Sequence, residues 1–288
     1  MKVLIAGAGG QLGRALRATV PAKTEYVALD STQLDITDLE SVSSCVAAVS
    51  PDVIINAAAY TAVDKAEQER QQAYAVNERG AAHLAQAATQ CGARLLHVST
   101  DYVFDGTAFQ PYRPLDACHP LGVYGASKRA GEEAVLAYAN NAAIFRTSWL
   151  YAADGHNFVN TMLQLMNERE QLGVVADQIG SPTWSRTLAE ALWVAAGRRD
   201  LTGIYHWADL GVASWYDFAV AIQEEAQALG LLAREAELRP LRTEEYPTPA
   251  QRPAYSVLDT SIARAELGLD GIHWRRALRI MLKGKQNA

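Results

Sequence analysis

The stretch KVLIAGAGGQLG, residues 2–13, runs an apolar, β-branched segment straight into glycines at positions 7, 10 and 13. Few folds accept that arrangement. A strand followed at once by Gly7 can turn tightly, Gly10 lets backbone come close to a bulky anion, and Gly13 lets the next helix pack hard against the strand. A helix opening at such a turn points its unpaired N–H groups at negative charge. By itself the spacing fits any tight strand–helix turn. Its context points to a dinucleotide-binding turn: a strand before it, the helical segment LGRALRATV (12–20) after it, and a further strand EYVALD (25–30) that ends in Asp30.

The rest of the first half repeats this alternation. DVIINAA (52–58), RLLHVST (94–100) and AAIFRTS (142–148) read as buried strands. DLESVSSCVAAVS (38–50), residues 66–92 and SKRAGEEAVLAYAN (127–140) read as helices between them. The expected fold class is therefore α/β, a Rossmann-type doubly wound parallel sheet, with a dinucleotide-binding domain over 1–148. Residues 149–288 are less regular, and four tryptophans there (Trp149, Trp184, Trp207, Trp215) lie near glycine, proline and serine. They predict a smaller mixed α/β lobe, mainly substrate-binding, with helices over 161–171 and 215–229. The two parts are expected to interleave, because the segments at 184–197 and 203–208 suit a helix and strand that extend the sheet.

Composition narrows the function classes. The 288 residues are 49% hydrophobic, enough for a large core, and 26 basic against 32 acidic residues give a net charge of −6. No Lys/Arg run exists, so neither nucleic acid nor an anionic membrane surface is an expected partner. Cys45, Cys91 and Cys118 are widely separated, which suits a reduced, cytoplasmic compartment and no metal site. The chain opens directly on its first strand, with no secretory leader pattern and no apolar run long enough to span a bilayer.

Candidate chemistry lies where the strands end. Ligands of open α/β sheets bind at the carboxyl ends, so Asn56-Ala57-Ala58-Ala59 leaves room for a flat ligand, and Thr100 and Asp101 should face it. Asp30 suits a ribose 2′-hydroxyl and favours NADH, whereas Arg14 could grip a 2′-phosphate, so NADH and NADPH both stay open. Asp35 and Ile36 are candidates for the adenine surroundings. Tyr124 and Lys128 are four residues apart and share a helix face. A free tyrosine, with a pKa of about 10, exchanges protons poorly near neutrality. A neighbouring ammonium and the positive charge of an oxidised nicotinamide are expected to lower it, so that Tyr124 can protonate a carbonyl oxygen that Thr100 orients while hydride reaches the carbon. Gly125 and Ala126 keep bulk away beside Tyr124, an opening for a substrate.

Together, Gly7-x-x-Gly10-x-x-Gly13, Asn56-Ala-Ala-Ala, Ser99-Thr-Asp-Tyr-Val-Phe and Tyr124-x-x-x-Lys128 resemble the extended short-chain dehydrogenases/reductases. The further segments VDKAE (63–67), YGASKRAGE (124–132), FRTSWLYA (145–152), NFVNTML (157–163), DQIGSPT (177–183) and YPTPAQRPAYSVLD (246–259) resemble, in order, the dTDP-4-dehydrorhamnose reductase family. That resemblance implies NAD(P)H-dependent reduction of dTDP-4-dehydro-L-rhamnose to dTDP-L-rhamnose, for cell-surface polysaccharide. It also implies Thr100, Tyr124 and Lys128 as the catalytic set. Gly10, Gln11, Leu12, Asp30, Asp35, Ile36, Ala59, Tyr60 and Thr61 match cofactor-lining positions, beside Gly7 and Gly13. Thr100, Asp101, Trp149, Asn157 and Arg252 match substrate-binding positions, Arg252 with a fork that suits a diphosphate.

One feature departs from that family. Some members are described as dimers bridged by Mg²⁺ through carboxylates that include a Glu on the first helix. Here that position is Ala15, and Arg186 stands where another acid is expected. No metal is expected, and a homodimer, if it forms, lacks that bridge. Three rival readings remain. A nucleotide-sugar dehydratase needs an Asp-Glu pair after the threonine, whereas this chain has Asp101-Tyr102. A reductase or epimerase of another nucleotide-linked keto sugar would keep the same hydride chemistry. A non-catalytic regulatory subunit, such as the reductase-like one of methionine adenosyltransferase, could lose the catalytic set, which is complete here.

Overall fold

A computed structural model describes residues 1–286. The first half alternates as the apolar pattern predicts: β1 (Lys2–Ala6), α1 (Gln11–Ala18), β2 (Glu25–Leu29), α2 (Leu39–Val49), β3 (Val53–Asn56), then α3 (Val63–Ala66), α4 (Arg70–Tyr74) and α5 (Ala81–Cys91). There follow β4 (Arg94–Thr100), α6 (Val123–Tyr138) and β5 (Ala142–Thr147). The second half contributes β6 (Leu150–Tyr151), α7 (Phe158–Glu168), β7 (Gln171–Val175), β8 (Ile179–Gly180), β9 (Thr183–Trp184), α8 (Ser185–Ala196) and β10 (Gly203–His206). It ends with β11 (Ala213–Ser214), α9 (Trp215–Ala228), β12 (Glu237–Leu241), α10 (Ser261–Leu267) and α11 (Trp274–Gln286).

Six strands form one sheet in the order β10-β5-β4-β3-β1-β2, and every pairing is parallel. Side chains alternate along each strand, so each strand feeds two cores. Val3, Ile5, Ile55 and Phe145 pack under α1 and α8, while Leu4, Ile54, Leu95 and Ile144 pack under α2, α5 and α6. A parallel sheet covered on both faces explains why these strands are apolar without a break. A separate core, built from residues such as Met162, Phe218, Ile222 and Leu278, joins α7, α9 and α11.

Three sequence expectations shift. The single helix expected over 66–92 is broken at Glu67–Glu69 and widens into a π-helical turn at Ala75–Gly80. That turn frees the Asn77 side chain: its Oδ1 accepts from the Tyr60 N–H at 2.8 Å, and its Nδ2 donates to the Tyr60 carbonyl at 3.1 Å and to Ser127 Oγ at 2.9 Å. The helix expected over 161–171 lies earlier, at 158–168, because Asn157 caps it and Gln171 already pairs with Glu237 in the β7–β12 ribbon. Helix α6 starts at Val123, so Tyr124 sits in its first turn.

Helix α6 is held by contacts that admit no extra atom. A Cβ at Gly125 would overlap the Tyr102 carbonyl oxygen, and one at Gly131 would overlap that of Asn77. Gly125 is therefore needed for packing and opens no path for a substrate, contrary to the sequence expectation. Deeper along α6, Glu132 has no solvent exposure, and Arg146 on β5 is 1% exposed. Arg146 Nε and Nη2 donate to the two Glu132 oxygens at 2.8 and 2.7 Å, and Nη1 donates to the Pro114 carbonyl at 3.1 Å. The guanidinium also lies over the Phe104 ring.

Removing Arg146 leaves Glu132 in a dry interior with only the partly exposed Arg129, at 3.0 Å, to pair it. Arg146→Leu is expected to cost about 3–5 kcal/mol in urea unfolding. Burial raises the Glu132 pKa, but its partners, Arg146 first, hold the carboxyl below its ordinary 4.5. In the parent its contribution is therefore present above that value and is lost as pH falls through the depressed folded pKa.

Candidate active site

Two cavities meet along the carboxyl ends of the strands, sharing Gly10, Ala57 and Ala59. The first, about 480 Å³, is lined by the glycine turn, Asp30, Asp35, Ile36 and Tyr60, among others. Gly7 has φ +85°, and a Cβ there would stand 2.5 Å from the Ala58 nitrogen. Gly13 lets α1 lie against the turn, since a Cβ there would overlap the Gly7 carbonyl. No side chain caps α1, whose N-cap is Gly10. Its first N–H groups, at Gln11 and Leu12, have no side-chain cap, and both residues line the second cavity next to Gly10, which the two cavities share. An uncapped helix start beside a cradle that side chains would fill fits the pyrophosphate of a dinucleotide.

Asp30 Oδ1 accepts from the Thr32 N–H at 2.9 Å and from Thr32 Oγ1 at 2.6 Å, which holds its carboxyl below 3.8. Asp35 is held down in the same way by Thr37. Both are anionic at neutral pH. Arg14 does not line this cavity: its guanidinium donates to the Gly9 carbonyl and, at 3.4 Å, to that of Asp154. Arg14 is thus held by backbone carbonyls, one of them that of Gly9, which abuts Asp30.

The second cavity, about 430 Å³, brings Thr100, Asp101, Tyr124 and Lys128 together with Thr61, Trp149 and Asn157. Thr100 Oγ1 donates to Asp101 Oδ1 at 3.0 Å and accepts from the Tyr102 N–H at 3.2 Å. Burial raises Asp101 to about 6; the Ser256 and Thr100 hydroxyls offset this only in part, and Oδ2 has no partner of hydrogen-bond geometry. Lys128 Nζ donates to the Val98 carbonyl at 2.6 Å and lies 3.5 Å from His97 Nε2. Burial lowers Lys128 to about 8, with Glu132 pulling the other way. Tyr124 does not behave as expected. Burial pushes it up to about 12, the Thr100 hydroxyl pulls it down, and Asp101 pushes it up again. The expected lowering by Lys128 is absent because its amine is directed to Val98 and His97.

The far wall of this cavity is aromatic. Trp149 takes the left-handed φ of 47°, which a bulky residue rarely adopts. Its indole stacks on Trp215, with centroids 3.6 Å apart and planes 6° from parallel. Gly180 makes room, since a Cβ there would stand 2.5 Å from the Trp149 ring. Asn157 has two tasks. Its Oδ1 caps α7 through the Asn160 N–H at 3.1 Å, and its Nδ2 donates to Gln11 Oε1 at 3.0 Å, joining the second lobe to the glycine turn. Arg252 stands outside both cavities, and its fork grips Asp64 at 3.1 and 2.8 Å. The fork expected to take a diphosphate is closed on a carboxylate.

Trp215, His156 and Ser148 also line this cavity and were not among the sequence candidates. The N-cap Ser214 and capping box in SWYD (214–217) mark a helix start but do not reveal that Trp215 reaches Trp149. His156 is next to Asn157, and proximity to that residue was its only signal.

Asp101→Asn checks this electrostatic account. A carboxyl with a raised folded pKa favours folding less as pH rises from 3.8 through about 6. The variant is expected to gain roughly 2–3 kcal/mol over the parent at pH above 7, and to lose that gain as pH falls towards 4, in paired denaturation curves.

The model of the family described as RmlD substrate binding domain matches residues 1–287. A protein of Aggregatibacter actinomycetemcomitans named dTDP-4-dehydrorhamnose reductase is 46% identical over 285 residues, 96% of this chain and 97% of that protein. A crystal structure of a dTDP-4-dehydrorhamnose reductase from Clostridium acetobutylicum superposes with a TM-score of 0.93 at 39% identity, covering 99% of this chain and 100% of that one. A Bacillus anthracis structure of the same name, in complex with NADP, also gives 0.93 at 39% identity, covering 98% and 99%. With its parallel sheet, glycine turn and whole length matched, the chain belongs to the RmlD substrate binding domain family.

Proposed function

We propose that this chain is an NAD(P)H-dependent oxidoreductase that reduces the 4-keto group of dTDP-4-dehydro-L-rhamnose to dTDP-L-rhamnose. The observation that carries this reading is one cavity holding Thr100, Tyr124 and Lys128 beside the uncapped start of α1. Its substrate rests on the reductase names of full-length relatives and on the NADP held by one of them. In the reaction, Gly7, Gly10 and Gly13 with the N–H groups of Gln11 and Leu12 hold the pyrophosphate, and Asp30 holds the adenosine ribose. Bound NAD(P)H supplies the hydride. Thr100 turns its one hydroxyl proton from Asp101 Oδ1 to the keto oxygen, and Tyr124 gives that oxygen a proton. In the ligand-free chain burial holds Tyr124 at about 12, too high for an efficient acid near neutrality; the positive charge of an oxidised nicotinamide beside it would lower that value. Lys128 anchors the nicotinamide ribose.

The sheet domain, 1–148 with α8 and β10, is assigned to the cofactor, and the remainder of 149–288 to the substrate. Trp149 with Trp215 forms a flat apolar wall for the sugar nucleotide, and Asn157 ties that wall to Gln11. Arg252 reaches a diphosphate only by leaving Asp64. Three free cysteines suit a cytoplasmic setting.

Purified chain should oxidise NAD(P)H when given dTDP-4-dehydrorhamnose, followed by the loss of nicotinamide absorbance. Turnover of a GDP- or UDP-linked keto sugar but not this one overturns the substrate assignment. Tyr124→Phe should lower kcat by ~10²-fold or more, as loss of a general acid does; a near-normal kcat overturns its role. Asp30→Ala should raise kcat/KM for NADPH relative to NADH by about tenfold, because an anionic carboxylate beside a 2′-phosphate is removed.

A further inference from the structure

Asn56 and His97 lie beneath the site on neighbouring strands, paired in register, and each is 1% exposed. The reaction described above uses neither. Their hydrogen bonds leave one proton arrangement. The Ala58 N–H can only donate, and it donates to Asn56 Oδ1 at 3.1 Å, so the oxygen end of that amide is fixed. The NH₂ end therefore faces His97 Nδ1, at 3.0 Å. An amide NH₂ only donates, so Nδ1 is the bare, accepting nitrogen and the single proton of the neutral ring sits on Nε2. Nε2 lies 3.5 Å from Lys128 Nζ, which already gives one N–H to the Val98 carbonyl at 2.6 Å. A neutral amine keeps a lone pair for the Nε2–H. An ammonium has none, and sets an N–H against another N–H in a dry interior.

We propose that His97, oriented by Asn56, is a positioning residue that donates a hydrogen bond to Lys128 and thereby sets the pH at which Lys128 takes up its proton. Burial and the nearby Lys128 hold His97 well below its ordinary 6.5, so the ring does not escape the conflict by charging. Burial also brings Lys128 to about 8, where a change of hydrogen-bond partner is felt near neutrality. The other titratable groups around Lys128 are few. Glu132 lies one turn on along α6 and is held by Arg146 of β5. Tyr124 lies one turn back, with Asp101 just past the end of β4. On the β5 side His97 pairs with Ile144, which carries no charge. Thus Glu132 favours the ammonium, and the Asn56–His97 chain opposes it.

The decisive variant is Asn56→Asp. One carboxylate oxygen keeps the Ala58 bond, the other accepts from Nδ1–H, and a His97 that stays neutral, as burial and Lys128 favour, then presents a bare Nε2 that welcomes an ammonium. Nitrogen NMR of the ligand-free chain, labelled in histidine and lysine, reads both groups directly. In the parent, His97 should show a bare Nδ1 and a protonated Nε2. In Asn56→Asp the tautomer should reverse, and the Lys128 midpoint should rise by about one pH unit or more. A parent protonated at Nδ1 overturns the proposal even if the variant does not fold, and so does a variant with reversed tautomer and an unmoved Lys128. The pH limb of kcat for keto-sugar reduction should move with the Lys128 midpoint. That kinetic arm rests on the reductase reading: NMR as expected without turnover sinks that reading and leaves the role of His97 standing.

Discussion

The buried pair of Glu132 and Arg146 is the constraint on which the geometry of the proposed active site rests. It joins α6, which carries Tyr124 and Lys128, to β5, the strand beside Thr100 on β4. Neither charge reaches water; Arg146 is tolerable only while Glu132 is in place, whereas Glu132 also pairs with Arg129 at 3.0 Å. Loose packing of α6 would part them. The glycines at 125 and 131 work to the same end, because they let the helix approach backbone carbonyls that any side chain would block. A proton donor must stand within a fraction of an ångström of its target. For the proposed donor, Tyr124, that precision comes from an ion pair deeper along α6 and from two missing Cβ atoms, one of them at the neighbouring Gly125.

Burial acts on the site in one consistent direction. It pushes Tyr124 to about 12 and Asp101 to about 6, and brings Lys128 to about 8. Each move favours the uncharged form. Near neutrality Asp101 is nevertheless mostly anionic and Lys128 mostly cationic, so their charges offset each other, beside the anionic Asp30 and Asp35 at the other end of the cleft. A dinucleotide phosphate meets backbone N–H groups at α1 rather than a fixed cation, in keeping with a chain of net charge −6 that has to hold anions.

Much of this was legible in the sequence, for local reasons. The glycine turn, the apolar strands and Thr100 at a strand end follow from steric and periodic rules that act over a few residues. The long helix and its π-helical turn were not legible, since AVNERG (75–80) carries an ordinary helical pattern and only the distant Tyr60 backbone explains the widening. Arg252 read as a free fork because its partner, Asp64, is 188 residues away in sequence. The Trp149–Trp215 stack and the Asn56–His97–Lys128 chain are likewise products of tertiary folding. His97 in particular reads as one more residue of a buried strand. In the ligand-free chain burial outweighs an ammonium that points elsewhere, so the Lys128 part of the expected lowering of Tyr124 is not seen; the nicotinamide part acts only with cofactor bound.

The central claim is that hydride goes to the sugar's C4 carbon in the cavity shared by Thr100, Tyr124 and Lys128. The most direct measurement uses nicotinamide cofactor carrying deuterium at the transferred position, with dTDP-4-dehydro-L-rhamnose and the purified chain, and reads the product by NMR. The account predicts dTDP-L-rhamnose with one deuterium, at C4. Deuterium at another carbon, or a product of different configuration at C4, would contradict it.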